Sequence, residues 1–539
     1  MSWDYIIVGA GSGGCALAYE LVRSGKCVLV LEAGGWDRSP YIKVASGQVR
    51  ACEKHDWGYR SQPDPTRNGA TDFWLRGRVV GGSSSINGTM YTRGIPADFN
   101  RWNLPGWSWE DVLPIFRELE NSDQPGPSRG HHGTLHVRTV KHPHAITDAF
   151  VESAHAAGLP FQSDYNGEAQ EGVAYAQLTQ RRGFRCSAAD AFLKPVLGSK
   201  NLTLLLDTVV ERIEIRNGRA IGVSFSQSGV SRFEVATDVI LCAGAINSPK
   251  LLMLSGVGDL DELKRRGVDV TVSLPGVGRN LKEQPLVSML YRSKVETYNL
   301  TGGLLQKARF AAQFLAHGEG PISNLFEGAA FLKSSAEQPL PDLQVIFTAF
   351  GYVVGDDGLY SLAPYPAVML LFMQSYPANS GRIKLASQNP ADSPIIECPL
   401  LQAQSDVDSL VGGLKIGRKI MQSEPIASLL QEEVEPGPAL KDTAALEAYV
   451  RNHTKLSYHP IGTCRMGMGD DAVVGPDLRV RGIENLWVAD ASIIPDHMSA
   501  NMNAICIMIG KKLGKALTLR DQGAATSPAS PLRLKVQRR

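Results

Sequence analysis

The chain has 539 residues, 43% hydrophobic and 20% charged, and its 55 Lys and Arg set against 54 Asp and Glu give a net charge of +1. That length exceeds what one hydrophobic core usually supports, so two closely joined domains are expected. The neutral balance offers no electrostatic case for nucleic acid or an anionic membrane. The eight cysteines are scattered without a C-x-x-C pair, which argues against a zinc site or disulfide framework and fits a reducing, cytoplasmic setting.

The first strand is expected almost at once, at Asp4 to Val8, leaving no room for a secretory signal. It runs into Gly9-Ala10-Gly11-Ser12-Gly13-Gly14, a G-x-G-x-x-G turn, and then a helix from Cys15 to Arg23. Cys27 to Leu31 is a second strand with Glu32 at its carboxyl end. Gly9 permits the tight turn, Gly11 lets backbone approach a pyrophosphate, and Gly14 lets helix and strand pack closely. The helix start supplies free N–H groups and positive dipole, and Glu32 would accept from the ribose hydroxyls. A bare glycine turn would not need strand, helix, strand and acid in register, so this is read as a dinucleotide site.

Gly77 to Gly88, with Gly81-Gly82-Ser83-Ser84-Ser85 at its centre, cannot build core and suits a loop facing a polar ligand. Gly106 to Glu118 predicts a capped amphipathic helix interrupted by Pro114, Ala145 to Gly158 another, and Arg185 to Leu193 a third. His131, His132, His136, His142 and His144 follow no ligand spacing, so no metal is expected. From Asn201 the pattern turns to strands: Leu202 to Leu206, Val209 to Ile215, Ala220 to Phe225 and Arg232 to Ala236, then a separate buried strand from Asp238. Ile246 to Ser255 reads as a helix, and residues 286–454 as a β-layer covering the ligand. The longest apolar run, Pro366 to Met373, is strand-sized and cannot span a bilayer. Leu486 to Val488 is a further buried strand with Asp490 at its exit, and Asn501 to Ile505 opens an apolar helix ending between Lys511 and Leu517. Gln522 to Arg539 is expected to be disordered.

Several of these stretches together resemble the glucose–methanol–choline (GMC) flavoprotein oxidoreductases. Gly77 to Gly94 resembles one family motif and Gly244 to Gly258 a second, while Pro275 to Leu281 and Tyr458-His459-Pro460 through Gly462-Thr463 are also similar. The resemblance implies an α/β protein: a Rossmann-like FAD-binding domain from 1–155, 195–285 and 455–520, interleaved with an α+β substrate-binding domain from 156–194 and 286–454.

It further implies FAD as cofactor, with Gly9, Gly11, Ser12 and Gly14 at the pyrophosphate, and Glu32 and Ala33 at the ribose. Gly82, Ser83 and Asn87 would lie along the flavin, Val209 would meet the adenine, and Ala243, Asp490, Ala491 and Asn501 would complete the cofactor site. The implied catalytic pair is His459, as base, and Asn503, as donor to the developing alkoxide, with hydride passing to flavin N5. Glu327 and Tyr458 are the implied substrate contacts, with structural pairing inside the chain an equal alternative for Glu327. Ile86 stands where some relatives carry a flavin-linking His, so FAD is expected to be non-covalent. Lys282-Glu283-Gln284 replaces a commoner Asp-His ending, and Ile505-Cys506 a commoner Pro-Thr.

The expected activity is oxidation of a small sugar, polyol or amino-alcohol to aldehyde or ketone, with a quinone-type acceptor or oxygen. An oxidase of aromatic or pyridoxine-type alcohols is the alternative, and a non-redox lyase or photoenzyme is disfavoured by the His–Asn pair.

Overall fold

Ile6, Ile7 and Val8 are buried on both sides, as a central parallel strand requires. In the computed structural model, which describes residues 2–299, 303–354 and 360–526, they form β1 (Trp3–Val8), followed by α1 (Ser12–Arg23) and β2 (Val28–Leu31). β2 lies parallel to β1 and to Leu202–Leu205 on its far side. The other flank of β1 pairs in parallel with the end of Val230–Leu241, which in turn pairs in parallel with Leu486–Val488. This open sheet gathers strands from three distant parts of the chain at one crevice.

Val230–Leu241 is one continuous strand, whereas the sequence predicts two pieces broken near Thr237. Its first half is solvent-facing and antiparallel to Arg219–Gln227; its second half, Val239 to Leu241, is buried and parallel to β1. The change from polar to apolar marks a change of environment along one strand, with no turn residue between. The predicted helix at Arg185 to Leu193 is likewise a short strand, Phe184–Arg185, followed by a single wide turn at Ala189–Leu193. Pro114 sits inside the helix Trp109–Leu119 without ending it, and Ser108 and Asp111 cap the start reciprocally.

A second sheet orders Leu430–Glu435, Pro285–Ser293, Ala367–Gln374, Leu343–Thr348, Gly328–Leu332 and Gly172–Tyr175, every neighbour antiparallel. Lys455–Leu456 also pairs with the start of Pro285–Ser293. That pairing sets Glu283 and Gln284 beside the segment carrying His459.

The last helix runs Met502–Thr526, beyond its predicted end. Tyr5 Oη donates to Asp521 there at 2.6 Å, and Lys26 pairs with Asp521 at 2.7 Å, so the residue before the expected tail is tied to the sheet and the helix carries on through 522–526. The remainder of that tail, 527–539, lies outside the described residues. The helix packs backbone to backbone on α1: a Cβ at Gly510 would fall 2.1 Å from the Gly13 carbonyl oxygen.

Gly510→Ala is expected to destabilise the protein by about 1–3 kcal/mol through overpacking. Gly198→Ala, where an added Cβ meets nothing within 4 Å, should stay within about 0.5 kcal/mol of wild type. Urea midpoints for the two variants check the contrast.

Candidate active site

The glycine turn is shaped by contacts of its own. Gly9 has φ +103°, and a Cβ there would come 2.6 Å from the Cys242 carbonyl oxygen; one at Gly14 would come 2.0 Å from the Gly9 carbonyl oxygen. Gly11 differs, since its Cβ would meet only the Cys242 carbonyl oxygen, at 3.8 Å. Protein packing therefore demands glycine at Gly9 and Gly14, while at Gly11 the absent side chain leaves room for a ligand. α1 begins at Ser12 with no side-chain cap and no acid in its first turn, so its dipole and leading N–H groups are left for an anion. Gly82 closes over this turn: its Cβ would lie 2.8 Å from the Gly11 Cα.

Glu32 is buried, and its two oxygens accept from Ala10 N at 2.9 Å and Gly34 N at 2.8 Å, tying the glycine turn to the segment after β2. Burial raises its pKa to about 7 against these two hydrogen bonds. Thr208 N donates to the Glu32 carbonyl, which brings Val209 to the same end of the sheet. Ala33 receives the Arg78 Nε on its carbonyl at 3.2 Å. Asp490 is also buried: it accepts from Gly244 N at 2.8 Å and Ser248 Oγ at 2.5 Å on one oxygen, and from Ser492 N at 2.8 Å on the other. It thereby pins Ala243 and the start of the helix Gly244–Leu254 to Ala491, whose carbonyl accepts from Gly462 N. Ser83 Oγ accepts from Gly77 N at 3.1 Å, and Asn87 Oδ1 accepts from Thr89 N and Arg185 Nη1 at 3.0 and 2.6 Å. Asn87 thus holds its own loop in shape, a use the sequence reading does not foresee.

The sequence pairs His459 with Asn503; in the structure Asn501 is the asparagine beside it. Asn503 Oδ1 accepts from Ser12 Oγ at 2.7 Å, while Asn501 Nδ2 lies 3.4 Å from His459 Nε2. The helix starts at Met502, so Asn501 precedes the first turn and faces the histidine, whereas Asn503 has rotated onto α1. Two asparagines two residues apart at a helix entrance are indistinguishable by pattern alone.

Around His459 the hydrogen bonds fix one tautomer. Gln284 Nε2 donates to the carbonyls of Ser375 and Met498 at 3.2 and 3.0 Å. Its Oε1 is therefore the atom 2.8 Å from His459 Nδ1, so Nδ1 carries the proton and Nε2 the lone pair. Asn501 is oriented in the same way: its Oδ1 accepts from Thr92 Oγ1 at 2.9 Å and Gln344 Nε2 at 3.2 Å, leaving its Nδ2 as donor. Glu283 Oε1 accepts from the backbone N–H groups of His459 and Gln284 at 2.8 and 3.0 Å. Its Oε2 is buried without a hydrogen-bond partner among the described residues.

Burial, aided by the nearby Arg76 guanidinium, lowers His459 to about 3, and burial raises Glu283 to about 8. Arg76 Nη2 donates to the Tyr458 carbonyl, and Tyr458 itself sits at φ +63°, a left-handed conformation unusual for a tyrosine. Gln284, Glu283, Thr92, Gln344 and Arg76 were not singled out by pattern; only the Lys282-Glu283-Gln284 departure marked the spot.

Glu327, expected to meet substrate, is committed elsewhere. It is 1% exposed. One oxygen accepts from His144 N and Thr147 Oγ1, each at 2.9 Å, and the other from Tyr298 Oη at 2.8 Å. These contacts are the structural pairing that the sequence left open: a carboxylate that deep needs donors from its own chain. Among the described residues no group of His, Cys, Asp and Glu could hold a metal, and no helix is long and apolar enough to cross a membrane.

Models of one family, described as GMC oxidoreductase, match residues 3–286 and 377–510. The chain belongs to the GMC oxidoreductase family. An alcohol dehydrogenase [acceptor] of Pseudomonas putida is 35% identical over 529 residues, covering 96% of this chain and 95% of that protein. An oxygen-dependent choline dehydrogenase of Rhizobium meliloti is 37% identical over 529 residues, 95% of each chain. The crystal structure of pyridoxine 4-oxidase from Mesorbium loti superposes with a TM-score of 0.87 at 29% identity, covering 96% of this chain and 99% of that one. This GMC protein is an FAD-dependent alcohol oxidoreductase, and the glycine turn, the uncapped α1 and the Gly82 closure fit that cofactor.

The acid beside the histidine carries a pH signature. Glu283 is raised from 4.5 to about 8, so between those values the folded chain holds a proton that the unfolded chain has released. Its contribution is whole below about 4.5 and lost as pH rises through about 8. Glu283→Gln, which mimics the protonated acid, should lose less stability than wild type between those limits, read from urea midpoints across pH; equal slopes would count against a neutral Glu283.

Proposed function

We propose that the protein is a dehydrogenase of a small hydroxylated compound of the sugar, polyol or amino-alcohol type, passing electrons to a quinone-type acceptor. The single observation carrying the chemistry is the Gln284 amide, whose two backbone tethers leave His459 Nε2 as a bare lone pair beside the Asn501 donor. FAD, when bound, supplies the hydride acceptor at its N5. His459 Nε2 takes the hydroxyl proton, and the positive ring that results keeps its Nδ1–H on Gln284 Oε1. Asn501 Nδ2 donates to the developing alkoxide, a role assigned from sequence to Asn503. Asn503 instead ties the entrance of the last helix to Ser12, keeping that helix's positive end by the nucleotide turn.

The name of the alcohol dehydrogenase [acceptor], matched over 95% of its length, supports an acceptor other than oxygen, whereas that of the oxygen-dependent choline dehydrogenase points to oxygen. The overlap with pyridoxine 4-oxidase favours the second reading, an oxidase forming hydrogen peroxide from an aromatic or heteroaromatic primary alcohol. Oxygen uptake with and without an artificial quinone separates the two. FAD is proposed to be non-covalent, since Ile86 offers no nucleophile. Acid precipitation should leave the yellow colour in the supernatant.

Anaerobic bleaching by an alcohol panel tests the roles. His459→Ala should keep FAD yet reduce it about 10²–10⁴-fold more slowly. Asn501→Ala should also slow reduction, and more than Asn503→Ala does; the reverse order would restore the pairing read from sequence. Because burial keeps His459 neutral, with a pKa of about 3, the wild-type rate should be level from about pH 6 to 9 rather than rise through an ordinary imidazole pKa.

A further inference from the structure

The helix Gly303–His317 wears its apolar face outward. Leu304, Leu305 and Leu315 are 84%, 86% and 83% exposed, and Ala308, Ala311, Ala312 and Ala316 are exposed beside them. At 100° per residue these seven positions fall within one arc of about 140°. The opposite arc is the one docked on the protein. Gln306 and Phe310 are buried; Gln306 Nε2 donates to the Thr297 carbonyl at 3.2 Å, and the Phe310 ring meets Tyr298 at 5.5 Å. Phe314 packs on Phe184 and His317 on His142, so the helix is fixed by four anchors along one side.

Charge tells what the free side meets. Lys307 borders the apolar arc on one edge and Arg309 on the other; both are exposed, and neither forms an ion pair among the described residues. The helix contains no Asp or Glu. The neighbouring loop adds exposed Arg181 and Arg182. The nearest acid in sequence, Glu319, is occupied by the backbone N–H groups of Lys141 and His142. A chain that is neutral overall is thus locally basic around an exposed leucine stripe.

We propose that this helix lies in the headgroup layer of an anionic phospholipid bilayer, with its leucines in the acyl boundary and Lys307 and Arg309 on the lipid phosphates. A second copy of the chain fits less well. A helix of this length offers a strip of about 22 Å by 10 Å, roughly 220 Å², against the roughly 800 Å² per partner of a stable interface. Two such strips would also oppose like charges. The inference stands apart from the alcohol-oxidation reading, because none of these residues touches His459 or the glycine turn.

Flotation of the full-length holoprotein with vesicles decides it. Binding to phosphatidylcholine vesicles containing about a third phosphatidylglycerol should exceed binding to phosphatidylcholine alone by about tenfold and weaken with salt. The Leu304→Ser/Leu305→Ser/Leu315→Ser variant should lose at least about tenfold of that binding, while keeping the wild-type melting curve and flavin absorbance. Lys307→Glu/Arg309→Glu should abolish the preference for phosphatidylglycerol. Wild type remaining free of both vesicles, or the triple-serine variant floating as wild type does, overturns the proposal. So does a wild-type dimer that the leucine changes dissolve in a sedimentation run, which would give the face to a second copy.

Discussion

The near-contact of two helix backbones governs everything at this site. α1 and the helix Met502–Thr526 approach until Gly13 and Gly510 leave no space for a side chain between them. Only at that separation can Ser12 reach Asn503, and only then does Asn501 emerge over the turn that α1 begins. Residues some five hundred positions apart become one machine through a spacing set by hydrogen atoms on two α-carbons. Lys511 on Glu20 and Tyr5 on Asp521 extend the clamp along the helix.

Electrostatics in the crevice follow from burial more than from charge pairing. His459, Glu32, Glu283 and Asp490 are each pushed toward the neutral form, with desolvation the leading cause. Hydrogen bonds from backbone N–H groups hold the acids part of the way back. The result is a site whose groups stand in defined protonation states, with ring and amide orientations dictated by main-chain carbonyls. A base prepared in this way meets its substrate without having to reorganise.

Much of this was legible in the amino-acid sequence, for physical reasons that differ from place to place. The β1–α1–β2 unit announces itself because Gly9 and Gly14 are demanded by the chain's own backbone, and Glu32 by the loop it braces. His459 is legible through the motif around it. Asn501 and Asn503 look alike in the sequence because the phase of a helix depends on where it starts, and two residues turn a side chain by about 200°. Glu327 looked like a ligand because burial is invisible in one dimension; its partners, His144, Thr147 and Tyr298, lie up to 183 residues away. Gln284 gave only a mismatch with the family pattern, and its meaning needed two carbonyls from distant loops.

Those two carbonyls belong to different layers. Ser375 follows directly on a strand of the second sheet, whereas Met498 leads into the helix that lies on α1. The glutamine between them is oriented by both layers at once. Parting them by the length of one hydrogen bond frees the amide to swing end for end, and an inverted amide offers the imidazole a donor where it needs an acceptor. Readiness to deprotonate thus depends on both layers together, through one side chain that holds the ring by its other nitrogen.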